Sequence, residues 1–253
     1  FRQSYVNTKP QISCERAKIY TDSYRETEGE PMCIRSAKAY LAACEKLPVT
    51  IFDDEIIVGT AGEFKRTGIL TPEFSWKWVD KEMDKFSTRG QDPYEMTDEQ
   101  RKFTRKEIFP YWKGKSLEEL YLKRLPEDTA KILIDTGVLD NDSKWRQAVG
   151  EVTPDYEDIL LPKGYQKIKE EALAKIEELD IAIPENIEKI EFYKSQVIIC
   201  DGIMTFAKRY SDLAYEMAQK EINEKRKAEL IKIGDVCKKV PAYPPESFHE
   251  AIP

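Results

Sequence analysis

The side chains able to carry chemistry are few. A single histidine, His249, lies near the C-terminus. Ser–His–Asp triads, imidazole acid/base catalysis and His-ligated metal sites all need a histidine inside the fold, and none is available. Five cysteines are present: Cys14, Cys33, Cys44, Cys200 and Cys237. They contain no C-x-x-C pair and fit no zinc spacing, and no metal site is expected. Cys14, Cys44 and Cys200 fall within helix-like apolar patterns, which reads as buried, unreactive thiols of a reducing compartment. Gly59–Gly62 lacks the G-x-G-x-x-G spacing and has no helix directly after it, so it is no phosphate loop. Asp201, within an apolar run, reads either as a perturbed acid or as the partner of a nearby Lys or Arg. Phe74, Trp76 and Trp78 read as one core-plus-surface cluster or as a binding patch. The remaining candidates lie together between Asp140 and Gly164, where Trp145, Arg146, Gln147 and Glu151 share an irregular stretch. Long loops in helical proteins are usually functional or disordered, and aromatic and Arg residues argue against disorder. Glu151, beside Gly150, is the best acid/base candidate that the residues alone supply.

The elements that must position these groups are mostly helical. Helices are expected from Ser13 to about Glu26, Met32 to Leu47 and Phe74 to Phe86, by apolar spacing. Capping boxes at Thr97–Gln100 and Ser116–Glu119 open two more, ending near Pro110 and Leu125. Further helices are expected over Glu127–Thr136, Tyr165–Leu179, Glu185–Asn223 and Lys225–Lys239, with Pro184 in a first turn. Residues 1–12, the stretch up to Pro72 and residues 138–164 read as irregular. Thr50–Phe52 and Glu55–Gly59 read as a short β-hairpin around an Asp53–Asp54 turn. The charge run Glu224–Lys227 reads as solvated helix face. Ser247–Glu250 is a third helix start, followed by almost no helix, and the chain opens without Met. The expectation is a fragment that ends as a new element begins.

Composition sets outer limits. The 253 residues carry 40 Lys plus Arg against 47 Asp plus Glu, a formal net charge of −7. That acidity argues against nucleic-acid binding, which rests on neutralising phosphates. No stretch approaches the roughly 18 apolar residues of a membrane span, and no signal sequence is evident, so a cytoplasmic location is expected.

Several stretches resemble the N-terminal part of glycyl radical enzymes of the pyruvate formate-lyase type. They include Thr8–Pro10, Glu15–Ala17, Arg35–Ala37, Asp54–Gly59, Pro72–Ser75 with Trp78, and Ser87–Arg89 with Gln91–Pro93. Glu107–Pro110, Trp112–Ser116, Thr153–Tyr156, Lys225–Leu230, Val240–Pro241 and Ser247–Ala251 continue the series in order. The likeness points to the eliminating branch: glycerol dehydratase, choline trimethylamine-lyase and isethionate sulfite-lyase. The resemblance implies a predominantly α region, residues 1–253, packed outside a ten-stranded α/β barrel and forming part of its wall. It implies that the radical-carrying Cys and the glycyl radical both lie beyond Pro253, so this chain needs no cofactor of its own. It implies thiyl-radical hydrogen abstraction from a small hydroxylated substrate, with loss of water, an amine or sulfite. A radical S-adenosylmethionine activating enzyme, the rest of the polypeptide and a second copy in a homodimer are the implied partners. The segment Ala148–Tyr156 aligns with the family loop that brings a substrate-contacting residue into the pocket. That position looks like His in glycerol dehydratase and Asp in choline lyase; here it is Glu151. A Tyr of choline lyase is matched by Ser143, which argues against choline, and Arg146 suits an anionic substrate group. The competing expectation is a non-enzymatic helical interaction module homologous to this region.

Overall fold

The computed structural model describes residues 2–136 and 155–252. Those residues are mostly helical and contain two short strands. The chain starts with α1 (Arg2–Asn7), β1 (Gln11–Ser13), α2 (Glu15–Glu26) and α3 (Met32–Lys46). After β2 (Thr67–Ile69) come α4 (Lys77–Glu82) and a 3₁₀ turn, Met83–Thr88. Next are α5 (Asp98–Phe103), a π turn (Thr104–Ile108), α6 (Phe109–Trp112), α7 (Leu117–Leu122) and α8 (Glu127–Thr136). A π turn at Tyr156–Leu160 leads into α9 (Leu161–Glu178), then α10 (Pro184–Lys220), α11 (Glu224–Lys239) and α12 (Phe248–Ala251).

Two apolar cores organise these elements. The first gathers Ile12, Ala17, Tyr24, Leu70, Val79, Met83, Phe86, Ile108, Phe109 and Trp112 around α2 and the α4–α6 segment. The second gathers Ile51, Tyr210, Ala214, Ala218, Leu230, Ile233 and Cys237 between α10 and α11. The long helix α10 packs along α3, α9 and α11. Small residues make the close approaches possible. A Cβ on Gly202 would lie 3.3 Å from the Leu41 Cα, and one on Gly234 would lie 2.8 Å from the Tyr215 ring. Asn223 caps α11 by accepting from the Lys225 and Arg226 amides, which lets a three-residue turn reverse the chain after α10.

The expected β-hairpin does not form. The two strands are β1 and β2, and they pair in parallel, Gln11 opposite Thr67 and Ser13 opposite Ile69. At Asp53–Asp54 the chain turns, but side chains take the backbone groups a partner strand would need. Arg226 donates to the Phe52 carbonyl (2.9 Å) and the Glu55 carbonyl (2.7 Å), and the Glu55 carboxylate accepts from the Phe52 amide (3.0 Å). The Thr60 amide donates to the Tyr210 hydroxyl oxygen (3.2 Å). Arg226 is therefore no solvated charge: its side chain is only 12% exposed, although its neighbour Lys225 is 88% exposed.

Other boundaries move for local reasons. Residues 1–12, expected to be irregular, contain α1 and the start of β1. Ser13 belongs to β1, so α2 begins after Cys14, with the Ser13 hydroxyl accepting from the Glu15 amide (3.3 Å). Phe74 precedes the helix it was expected to start, and α4 gives way to a 3₁₀ turn at Met83. The Thr97 capping box is complete, with Thr97 and Gln100 bonding each other's backbone amides. Residues 156–163 are helical rather than irregular. Asp155 opens that turn by accepting from the Asp158 amide (3.0 Å).

Candidate functional site

Trp145, Arg146, Gln147 and Glu151, together with Ser143, lie outside the described residues. The structure does describe the frame on either side of them. On the entry side is α8, with Glu127 and Asp128 in its first turn. On the exit side the chain is clamped. Gly164 adopts φ +67°, and a Cβ there would lie 2.5 Å from the Ala242 carbonyl oxygen, so the position requires glycine. Immediately after it, the Tyr165 amide donates to the Pro241 carbonyl and the Gln166 amide to the Ala242 carbonyl, both at 3.0 Å. A cavity of about 270 Å³ opens at this clamp, lined by Tyr40, Tyr156, Tyr165, Ile203, Tyr243 and Glu250, among others. Burial, then the neighbouring Cys44, push the Tyr40 phenol above its ordinary range, so it stays protonated. The Glu246 amide, then Lys239 at 2.8 Å, hold the Glu250 carboxylate below its usual range. The cavity thus presents a protonated Tyr40 phenol and an ionised, already paired carboxylate.

Four of the five cysteines supply no nucleophile. Cys14, Cys44, Cys200 and Cys237 are buried, and burial is the largest influence on each thiol. It pushes Cys44, Cys200 and Cys237 up to about 11, where almost no thiolate exists at neutral pH. Among the described residues no group of three or more His, Cys, Asp or Glu side chains could hold a metal ion. Asp201 is the paired alternative: its carboxylate accepts from Lys169 at 2.6 Å, on a partly exposed helix face.

A second cavity, of about 450 Å³, lies against the parallel strands. Ile12, Gly68, Ile69 and Leu70 meet Phe74, Trp78, Phe86 and Tyr94 there, with Arg16 and Arg89 adding guanidinium groups. Both cations are paired. Arg16 bonds Glu73 at 2.6 Å and lies 3.8 Å from the centre of the Tyr20 ring, and Arg89 pairs with Glu82. The aromatic alternation at Phe74, Trp76 and Trp78 is resolved into two roles. Trp76 packs on Phe109, and its ring N–H donates to Glu119 (3.0 Å), whereas Trp78 packs on Phe86 at the cavity. The Arg16–Glu73 pair was not legible in the sequence, because its members are far apart in the chain and carry no motif.

The folded arrangement can be set beside known proteins. The pyruvate formate lyase-like family model matches residues 1–253, and the chain belongs to that family. The isethionate sulfite-lyase of Nitratidesulfovibrio vulgaris is 38% identical over 99% of this chain, which covers 31% of that protein. Among solved structures, the glycerol-bound B12-independent glycerol dehydratase of Clostridium butyricum superposes with a TM-score of 0.91. The two are 33% identical, and the match covers 99% of this chain and 31% of the dehydratase. A glycyl radical enzyme from Archaeoglobus fulgidus gives a TM-score of 0.87 at 34% identity, covering 98% of this chain and 31% of that enzyme. The chain thus spans about a third of the length of the relatives it matches. Among the described residues no helix is long and apolar enough to cross a membrane.

Proposed function

We propose that this chain is the N-terminal portion of an anaerobic glycyl radical lyase or dehydratase. The observation that carries the reading is the family match over residues 1–253, supported by the TM-score of 0.91 to the glycerol dehydratase. The complete protein removes a hydrogen from a small hydroxylated substrate and expels water, an amine or sulfite from the neighbouring carbon. Its radical-carrying Cys and Gly belong to the part of the polypeptide outside these residues, and the 253 residues alone are inactive. The buried, protonated cysteines support this division of labour. Glu151 serves as acid or base toward the substrate, with Trp145, Arg146 and Gln147 contacting it. The clamp at Gly164 supports this assignment, because it gives the segment a fixed exit point. The barrel belongs to the same proposal: a parallel pair of three-residue strands is too small to stand alone and suits the margin of a larger sheet. The whole enzyme works in the cytoplasm as a homodimer, after activation by a radical S-adenosylmethionine enzyme.

The test is anaerobic activation of the complete protein. Electron paramagnetic resonance should show a glycyl radical, and candidate hydroxylated substrates, isethionate and vicinal diols among them, should release sulfite or water. Absence of a Cys loop and a C-terminal Gly motif in the complete polypeptide overturns the reading. The two closed cores favour the other possibility, a helical interaction module that folds alone. That reading predicts a soluble 253-residue chain with one sharp melting transition and no uptake of hydrophobic dye.

A further inference from the structure

The parallel sheet ends abruptly. β1 is flanked on one side by β2 and on the other by an isolated bridge from Gln11 to Glu95, so among the described residues β2 is the edge. The Gln11 amide donates to the Arg66 carbonyl (2.9 Å), which sets the alternation of the strand. Successive residues point their backbone groups to opposite sides. Gly68 therefore faces β1, and the N–H and C=O groups of Thr67 and Ile69 face away. Among the described residues none of those four groups has a backbone partner. An open edge of this kind is a ready template for another strand.

The 450 Å³ cavity lies beside that edge. Gly68, Ile69 and Leu70 of the β2 region line it together with Trp78, Phe86 and Tyr94, and Ile69 is 40% exposed. A strand added to β2 would send alternate side chains toward the same face as Gly68 and Leu70. Strand addition of this type joins backbone hydrogen bonds to pockets for alternate side chains. The net charge of the cavity walls is small, because Arg16 and Arg89 are already paired, so an apolar side chain suits it.

We propose that β2 is a docking edge for an extended segment of the same polypeptide, from the part outside these 253 residues. That segment pairs with Thr67 and Ile69 and lodges an apolar side chain in the cavity beside Trp78. The occupant follows from length: the relatives run to about three times this chain. The proposal rests on the reading that the chain is part of a longer enzyme, and it adds which edge and which pocket receive the missing part.

Amide hydrogen exchange tests it without any substitution. The Thr67 and Ile69 amides should exchange rapidly in the 253-residue chain and at least about 100-fold more slowly in the complete polypeptide. The Gly68 amide, bonded to β1 in both, is the internal control. Equal exchange at Thr67 and Ile69 in the two proteins overturns the docking. Protection that rises with concentration in the 253-residue chain also overturns it, by identifying a second copy as the occupant. The outcomes separate from those of the functional reading. A complete protein with a glycyl radical but an unprotected edge retains the enzyme and loses the docking. A protected edge without radical or turnover does the reverse.

Discussion

At the residue scale, Glu119 shows how one half-buried carboxylate ties distant pieces together. Its Oε2 accepts from the Gly114 amide (2.8 Å), the Trp76 ring N–H (3.0 Å) and the Ser116 hydroxyl (3.0 Å), while Oε1 faces Lys77 at 3.1 Å. Burial alone would raise its pKa, but these donors together outweigh it and hold the carboxylate below its usual range. The folded pKa is depressed, so the stabilisation is complete above the unfolded value and fades as pH falls through the folded one. Glu119→Gln should cost about 2–3 kcal/mol at pH 7, judged by urea unfolding. The gap between variant and parent should close as the medium is acidified below the folded pKa; a gap that stays constant with pH refutes the charge argument. The thiols give a second prediction. In the native state Cys33, the one half-exposed cysteine, should react with a thiol reagent first. The other four should wait for unfolding, and rapid labelling of any of them contradicts the buried assignment. A third concerns the complete enzyme: Glu151→Gln should lower kcat by about 10²–10⁴ if Glu151 moves a proton. An unchanged kcat removes it from the chemistry.

At the element scale, α10 and α11 act as a scaffold for irregular chain. Arg209 donates to the Cys44 and Leu47 carbonyls (both 2.7 Å), closing the C-terminal end of α3, and Arg226 does the same for Phe52 and Glu55. Helix C-termini leave carbonyls unpaired, and a guanidinium satisfies two at once. Arg226→Ala should cost about 2 kcal/mol and speed exchange at the Glu55 amide, read by hydrogen exchange and denaturant melts. The Gly164 clamp is equally specific. Gly164→Ala should destabilise by at least about 1–3 kcal/mol, because a left-handed φ is combined with a backbone collision at Ala242. A neutral result would mean that the Pro241–Ala242 segment yields. The helix starts at Thr97 and Ser116 were legible because a helix start depends only on residues within one turn, although only Thr97 closes a full capping box: at Ser116 the hydroxyl accepts from the Glu119 amide while the Ser116 amide bonds Trp112 instead. The local pattern of Thr50–Phe52 and Glu55–Gly59 around two aspartates suggests a hairpin, but Arg226 takes the Phe52 and Glu55 carbonyls and Tyr210 the Thr60 amide, from far along the chain.

At the scale of the whole molecule, closed and unfinished surfaces coexist. The two cores exclude water from side chains such as Met83, Tyr210 and Leu230, yet Ile222 is 91% and Phe248 83% exposed, and among the described residues β2 keeps an open edge. Among the described residues, a strand edge without a backbone partner beside an apolar cavity is a place for another surface. The 253-residue chain should therefore bind a hydrophobic dye below its melting transition, and the complete polypeptide should bind much less. Equal dye binding by the two proteins would favour the independent helical module.

The sequence by itself determined the helical class, the main helix starts, the absence of an internal histidine site and, through residues spread along its whole length, the family. These depend on side-chain periodicity and on residues close in the chain, so they survive without coordinates. Only the tertiary structure decided where the described strands lie, that Asp201 pairs with Lys169, that the Arg226 side chain is largely enclosed at a loop, and that among the described residues β2 has no outer backbone partner beside a cavity. Each of those depends on groups far apart in sequence. Parallel pairing joins residues 11–13 to 67–69 with no local signal, because its hydrogen bonds link groups separated in the chain by α2 and α3.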